Sequence, residues 1–279
     1  MSVRPNRATR AIIFLVATNL VTLGLIVSQG AGLVGAQQSQ STLDQVVSRG
    51  SLRCGIPIGG LPVAAKDQSG NIVGSVPDMC AEMAKGLGVK LDIVDTPTPD
   101  RIPFIQTNKI DVTIGTITLE RAKAVGFSTP WVVDGTAAAF LKSSDITSYE
   151  QIHGKRLAVV TGATGDLVAT SRYSDNDFSR VDLASTAIQA VISGQADAVF
   201  DDFSTLSLAA ADNPDLTVLT PLTREPSGVI VRLGDQQWTN WVNYFLDDYF
   251  SSGVSTCGCG KDMLRRWFKT DPLSLKFSY

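Results

Sequence analysis

Histidine is almost absent from this sequence, since its 279 residues include only His153. That residue lies in "YEQIHGKR", a turn before a predicted strand, where a solvated side chain is typical. A conventional catalytic triad needs a histidine beside a nucleophile, and no serine or cysteine motif marks such a partner. A histidine-rich metal motif and a Walker-type nucleotide loop are also missing. We therefore expect a protein that is not an enzyme and that has no cofactor and no bound metal.

Clusters of lysine and arginine are likewise missing, and the formal net charge of the chain is -3. This balance argues against a nucleic-acid partner. The chain is 44% hydrophobic and 18% charged, which is typical of a globular protein with one large or two modest domains.

The first 36 residues differ in composition from the rest. "MSVRPNRATR" has three arginines and no acid, and an uncharged run of 17 residues, "AIIFLVATNLVTLGLIV", follows it. This order, continued by small and polar residues, predicts an export signal over residues 1–36, with Val34 and Ala36 at the cleavage site. An uncleaved anchor is the alternative, because the run is near the lower limit for a membrane span. Either way we expect the remainder in the periplasm, anchored to the inner membrane if the segment is retained.

The four cysteines fall into two pairs. Outside the cytoplasm an even number of cysteines favours disulfides. Cys54 lies in a predicted strand and Cys80 in the next predicted helix, which can bring the two side chains within bridging reach. Cys257 and Cys259, in "STCGCGK", could form a tight local bridge, stay reduced or bind a metal. Two disulfides are favoured, because the spacing of Cys54 and Cys80 does not resemble a zinc knuckle.

Predicted strands alternate with predicted helices along the chain, which indicates an α/β protein with parallel sheets covered on both faces. Such sheets bind ligands beyond the carboxyl ends of their strands. Three polar segments fall at predicted strand ends: "GTITLER" ending at Arg121, "TGATGD" with Thr164, and "ADAVFDD" with Asp201 and Asp202. We therefore expect these three segments to meet at one ligand site.

The residue types in these segments suit a ligand that carries both charges. Arginine presents a planar fork of donors to a carboxylate, and the helix start at Thr164 can bind an anion. Asp201 and Asp202 would pair with an ammonium group. Alternatives remain, since Arg121 could be a solvated charge after a cap at Thr118 and the aspartates could be a helix cap. Together the three segments favour an amino-acid site over a catalytic one.

The stretch "RIPFIQTNKIDVTIGTITLERAKAVGFSTPW" resembles the signature of family 3 periplasmic solute-binding proteins, the amino-acid receptors of ABC importers. The likeness extends from about Leu52 to Phe268, with "TGATG" and "ADAVFDD" in the order typical of the family. It implies a two-lobed periplasmic-binding-protein fold, type II-like, with a ligand cleft between lobes joined by two crossover strands, near Thr136–Leu141 and Gly228–Val231. The first lobe would comprise residues 50–137 and 229–279, and the second lobe residues 138–228. The pair Cys54 and Cys80 also resembles the general amino-acid receptors, in which "LRCG" precedes a helix bearing a cysteine.

The resemblance also implies roles for particular residues. Arg121, helped by Thr116, would hold the α-carboxylate of the ligand; Thr164 would bind the same group from across the cleft, and Asp202 the α-ammonium. The protein would capture an amino acid or a derivative and deliver it to an ABC permease in the inner membrane. The alternatives are a membrane-anchored sensor or partner-binding module, and a periplasmic dehydratase-type enzyme, which would need a positioned general acid or base.

The sequence departs from the family pattern where relatives contact the ligand side chain. Val63 and Ala64 stand where relatives often have an aromatic residue that stacks on the ligand. Val76 stands where relatives usually have an acidic residue. Trp131 could supply an aromatic wall instead, or pack in the core. These residues predict an apolar remainder of the pocket. We therefore expect a small or uncharged amino acid as the ligand.

Overall fold

The computed structural model describes residues 40–251 and 253–269. The helices are α1 (Thr42–Arg49), α2 (Ser75–Gly86), α3 (Arg101–Gln106), α4 (Thr164–Arg172), α5 (Ala184–Ile192), α6 (Phe203–Asp212), α7 (Gln236–Phe250) and α8 (Gly260–Phe268). The strands are β1 (Ser51–Ile56), β2 (Ala65–Lys66), β3 (Ile72–Val73), β4 (Lys90–Asp95), β5 (Thr113–Thr116), β6 (Gly126–Phe127), β7 (Val132–Asp134), β8 (Thr136–Leu141), β9 (Arg156–Val160), β10 (Asp177–Val181), β11 (Ala198–Asp202), β12 (Leu216–Val218) and β13 (Glu225–Val231). Short 3-10 helices cover Thr98–Asp100, Arg121–Lys123 and Tyr149–Ile152.

The first lobe is built around β1, β4, β5, β6, β7 and β13. Strands β1 and β4 pair in parallel, and β13 pairs antiparallel with β5, β6 and β7. A parallel bridge between Cys54 and Val112 connects these two groups of strands. Helix α7 contributes an apolar stripe at helical spacing to the core of this lobe. The buried residues of that stripe are Trp238, Val242, Phe245, Leu246 and Tyr249.

The second lobe is a five-stranded sheet in the order β10-β9-β11-β8-β12. Strands β10, β9 and β11 run parallel, while β8 is antiparallel to both β11 and β12. The central strands carry almost continuous apolar runs, as expected for strands covered on both faces. One face packs Ala158, Val199 and Leu206 with helices α5 and α6, and the other packs Leu157, Phe200 and Ala169 of α4.

Two extended segments pass between the lobes. Strand β7 belongs to the first lobe and β8 to the second, and only Gly135 separates them. The return passage runs from β12 into β13. A Cβ atom at Gly135 would lie 2.2 Å from the carbonyl oxygen of Thr223. Only glycine, which has no Cβ atom, therefore lets the two passages come this close at position 135.

All four cysteines are paired. Cys54 on β1 is bonded to Cys80 on α2, with Cα atoms 6.4 Å apart, and both residues are buried. Cys257 is bonded to Cys259 in the loop before α8, and this part of the chain contains no free cysteine. The first bridge therefore fixes α2 onto the first sheet, whereas the second is local.

The predicted export signal over residues 1–36 lies outside the described residues, as do residues 270–279 of the predicted first lobe. Within residues 40–251 and 253–269, none of the helices combines the length and the apolarity that a membrane crossing requires.

Candidate functional site

A cleft with an empty volume of about 690 Å³ lies between the two lobes. Its walls come from strand ends and the loops that follow them, as expected for α/β sheets. The residues that line it are Pro57, Gly59, Gly60, Val63, Thr98, Arg101, Ile114, Gly115, Thr116, Arg121, Val160, Ala163, Thr164, Asp182, Leu183, Ala184, Asp201, Asp202, Thr205 and Ser227.

Arg121 enters the cleft from the first lobe, just after β5. Its backbone N–H donates to the hydroxyl oxygen of Thr118 at 3.1 Å, while the N-cap position of the short 3-10 helix is taken by Glu120. The side chain is nevertheless turned inward, where Nη1 donates to the carbonyl oxygen of Thr116 at 3.0 Å. Burial lowers the pKa of Arg121, and the attraction of Glu225 and Asp202 opposes this shift. The guanidinium group is thus a cleft residue rather than a solvated surface charge.

Arg101 is a second guanidinium group in the cleft. At the start of α3, its Nη1 donates to the carbonyl oxygen of Ile114 at 2.8 Å and its Nε to that of Thr98 at 3.3 Å. Burial lowers the pKa of Arg101 to about 10, which still leaves it charged at neutral pH. This residue was not singled out from the sequence as part of the site. The signal was available, since Arg101 follows the carboxyl end of β4 by a few residues.

The second lobe contributes the amino end of α4, which follows β9. Thr164 is the first residue of this helix and is buried at the cleft wall. A Cβ atom at Gly165 would lie 2.6 Å from the carbonyl oxygen of Phe200, so this glycine lets α4 pack directly against β11. Asp166 accepts from the backbone N–H of Gly162 at 3.1 Å, which holds the preceding turn. Ala163 and Thr164, at the start of this helix, line the cleft, and a helix start suits an anion.

Asp201 and Asp202 end β11 at the floor of the cleft. One carboxylate oxygen of Asp201 accepts from the backbone N–H of Asp202 at 2.7 Å, whereas Oδ2 is buried without a hydrogen-bond partner. Burial raises the pKa of Asp201 to about 6, and repulsion by Asp134 contributes to the shift. The pKa of Asp202 is raised well above its ordinary value by burial and by repulsion from Asp134, Asp201 and Glu225.

Two further carboxylates lie behind the cleft on the segments that cross between the lobes. Asp134 on β7 and Glu225 on β13 are directly opposite each other in the antiparallel pairing. Glu225 accepts from the hydroxyl group of Thr136 at 2.7 Å, and Asp134 accepts from the backbone N–H of Gly135 at 2.9 Å and from the hydroxyl group of Ser204. Burial raises the pKa of Asp134. The floor of the cleft therefore holds several neighbouring carboxyl groups, whose ionised forms require a cationic partner.

Two hydrogen bonds join the lobes across the mouth of the cleft. Arg121 Nη2 donates to the carbonyl oxygen of Gly162 at 3.0 Å, and the backbone N–H of Ser185 donates to the carbonyl oxygen of Gly59 at 3.0 Å. A Cβ atom at Gly59 would lie 3.3 Å from Leu183 Cδ2, so this glycine admits a close approach. The structure is thus a closed arrangement of the two lobes.

The predicted polar residues Thr116, Arg121, Thr164 and Asp202 all line this cleft. The predicted apolar lining is different. Val63 does line the cleft, but Ala64 and Val76 are fully buried in the first lobe, and Trp131 packs edge-on against Phe268 in the core. The predicted apolar lining was therefore wrong at Ala64 and Val76, whose side chains are buried in the core, and Trp131 takes the core position that the sequence left open as its alternative.

His153 lies far from this chemistry, on an exposed turn where Nδ1 is 3.4 Å from an oxygen of Asp175. Over the described ranges, no group of three or more metal-ligating side chains is placed to hold a metal ion. What the cleft does offer is two guanidinium groups on one lobe facing carboxylates and a helix start on the other.

Comparison with known proteins gives a consistent result. The family described as bacterial extracellular solute-binding proteins, family 3, matches residues 52–269. The general L-amino acid-binding periplasmic protein AapJ of Rhizobium johnstonii is 30% identical over 244 residues, which are 80% of this chain and 71% of AapJ. A mutant of ArgBP from T. maritima superposes with a TM-score of 0.76 at 35% identity, covering 82% of this chain and 100% of ArgBP. The ancestral amino acid-binding protein AncCDT-1, a precursor of cyclohexadienyl dehydratase, gives a TM-score of 0.75 at 32% identity, over 82% of this chain and 100% of AncCDT-1.

Proposed function

The chain belongs to the bacterial extracellular solute-binding proteins of family 3, and on that premise we propose that it captures an amino acid between its two lobes and delivers it to an ABC importer. The family match, AapJ and the two-lobed structural relatives support this function. Within the molecule, the observation that carries it is the pair of opposed charges, Arg121 and Asp202, which face one cleft from different lobes.

An α-amino acid complements these groups. In the proposed complex, the α-carboxylate accepts from Arg121, from the hydroxyl group of Thr116 and from the start of α4 at Thr164, while the α-ammonium donates to Asp202. Charged groups in a closed site are costly unless they are paired. A zwitterion supplies the missing partner to both lobes at once, so its binding favours the closed arrangement over an open one.

We propose lobe boundaries close to those the sequence suggested, which were residues 50–137 and 229–279 for the first lobe and residues 138–228 for the second. They shift by a few residues so that β8, from Thr136, belongs to the second lobe and β13, from Glu225, to the first. The crossing segments at β7–β8 and at β13 would act as the hinge, since they are the covalent connections between the sheets. The bond from Arg121 to Gly162 would form on closure.

We also propose that residues 1–36 direct export and that the mature protein works in the periplasm with a permease in the inner membrane. This location is supported by two relationships: the family is one of extracellular proteins, and AapJ is a periplasmic protein. Mass measurement of the exported protein tests it, because a retained N-terminal segment would favour the anchored sensor instead.

A thermal-shift screen of the twenty amino acids tests the proposed function. A ligand that binds only the folded protein stabilises it by about 2.7 kcal/mol at a hundredfold excess over Kd. We expect at least one amino acid to raise the melting temperature and the corresponding amino alcohol, which lacks the carboxylate, to have no effect. A panel in which no amino acid shifts the melting temperature would contradict the proposal and turn attention to the sensor and the dehydratase-type enzyme.

A further inference from the structure

One carboxylate of the cleft has no partner in the amino-acid complex proposed above. Asp201 is only 8% exposed, and its Oδ2 atom is buried without a hydrogen bond. Its other oxygen is occupied by the backbone N–H of Asp202. A buried carboxylate oxygen without a donor costs free energy, so such an atom on a side chain that lines the cleft indicates that a ligand supplies the donor.

The balance of charge in the cleft points the same way. Three carboxylates line it, at Asp182, Asp201 and Asp202, against the two guanidinium groups of Arg101 and Arg121. A zwitterion adds no net charge and leaves one negative charge in excess. An amino acid with a positively charged side chain removes that excess. Asp134 and Glu225, just behind the floor, strengthen the preference for a cation.

Arg101 does not neutralise Asp201 directly. No ion pair within 4.0 Å joins the two in the described part of the chain, and two donors of Arg101 are engaged by the carbonyl oxygens of Thr98 and Ile114. Arg101 therefore acts on Asp201 through space and leaves its Oδ2 atom without a donor.

The cleft wall also suits the stem of a cationic side chain. Val63 and Leu183, one from each lobe, line it together with Pro57 and the glycines at 59 and 60. Methylene groups of long cationic side chains bury well against such surfaces while the charged end reaches a polar partner.

On the basis of the proposed function, we propose that the site selects amino acids whose side chain carries a second positive charge, and that Asp201 is the residue that receives that charge. This differs from the small or uncharged ligand expected from the sequence, which depended in part on Ala64, Val76 and Trp131, residues that do not line the cleft. Asp202 keeps its place as the partner of the α-ammonium group.

Calorimetric titration of matched ligand pairs tests the inference. Each pair holds the α-groups and the side-chain length nearly constant while removing the positive charge: arginine with citrulline, and lysine with norleucine. Ornithine and 2,4-diaminobutyrate extend the series to shorter spacings between the two positive charges. A charge-assisted hydrogen bond should make at least one cationic ligand bind about 10- to 100-fold more tightly than its neutral partner or than glutamine.

Asp201→Asn should remove that preference, bringing the ratio between the best cationic ligand and its neutral partner to within about threefold. Asp262→Asn is the control, because it also replaces one carboxylate by an amide, at an exposed position on α8 that does not line the cleft, and should leave the ratio nearly unchanged. Retained binding of neutral amino acids by the Asp201 variant would show that its site is folded.

The outcomes are distinct. Equal or tighter binding of the neutral partners by the parent protein would overturn the inference and leave the amino-acid function standing. A charge preference that survives Asp201→Asn would also overturn it. If the parent bound none of the amino acids, the proposed function itself would fail.

Discussion

Arg121→Ala should weaken amino-acid binding by about 2–5 kcal/mol, which corresponds to a loss of about 30-fold to several thousand-fold in affinity. Arg121 is the guanidinium group that faces the amino end of α4 across the cleft and already donates to Gly162 there. The truncation leaves a buried ligand carboxylate with one charged partner fewer, and it also removes a hydrogen bond that holds the lobes together.

Titration calorimetry on the parent and the variant measures this loss. Arg265→Ala is a suitable control, because Arg265 is exposed on α8 and, among the residues that the structure describes, pairs with the neighbouring Asp262 alone. Its loss should leave the affinity within about threefold of the parent, since exposed ion pairs contribute little. An Arg121 variant that binds as tightly as the parent would remove Arg121 from the site.

Asp201→Asn should change how the stability of the ligand-free protein depends on pH. The pKa of Asp201 is about 6 in the folded protein, against 3.8 as its ordinary value. Between these two values the folded state holds the proton more firmly than the unfolded state. The free energy of unfolding therefore falls as the pH rises through this window, by about 3 kcal/mol for this group.

The variant lacks this titration, so its stability relative to the parent should be about 2 kcal/mol more favourable near pH 7.5 than near pH 4, since part of the change is already complete at pH 4. Urea unfolding of the parent and the variant at both pH values gives a double difference in the free energy of unfolding. Any cost of the asparagine amide that does not depend on pH cancels in that difference. Asp262→Asn, which removes an exposed carboxylate, should give a double difference close to zero. The same small value for Asp201→Asn would show that Asp201 is not buried as described.

A binding site that carries an unpaired acid at a cost in stability is a common feature of ligand clefts, because the partner arrives with the ligand. In this protein the cost falls on the floor of the cleft, at Asp201 and Asp202. The apolar core of each lobe and the disulfide between Cys54 and Cys80 stabilise the fold and so offset this cost.

Sequence reasoning succeeded where a general rule of α/β sheets applies. Arg121, Thr164 and Asp202 each follow a buried strand, and strand ends converge at one edge of the sheet. The two-lobed fold itself followed from the family resemblance, and its structural relatives confirm it.

The same reasoning failed where the direction of a side chain decides its role. Val76 lies in the first turn of α2 and points into the core, and Trp131 turns toward Phe268 rather than toward the cleft. Position along a chain does not show which face of a helix or loop meets a ligand. Arg101 was missed because its position at the start of α3 did not indicate that its long side chain reaches into the cleft.

Contacts between the lobes could not be predicted from sequence either. The hydrogen bonds of Gly162 and Gly59 involve backbone carbonyl oxygens, which carry no residue-specific signal. Their partners are 41 or more residues away along the chain, so only the folded arrangement brings them together.

The account is tested most directly by a crystal structure of the protein with the amino acid that stabilises it most. We expect the ligand between the lobes, with its α-carboxylate within hydrogen-bond distance of Arg121 and of the start of α4 at Thr164, and with its α-ammonium on Asp202. A ligand bound outside this cleft, or bound within it with the carboxylate away from Arg121, would contradict the account.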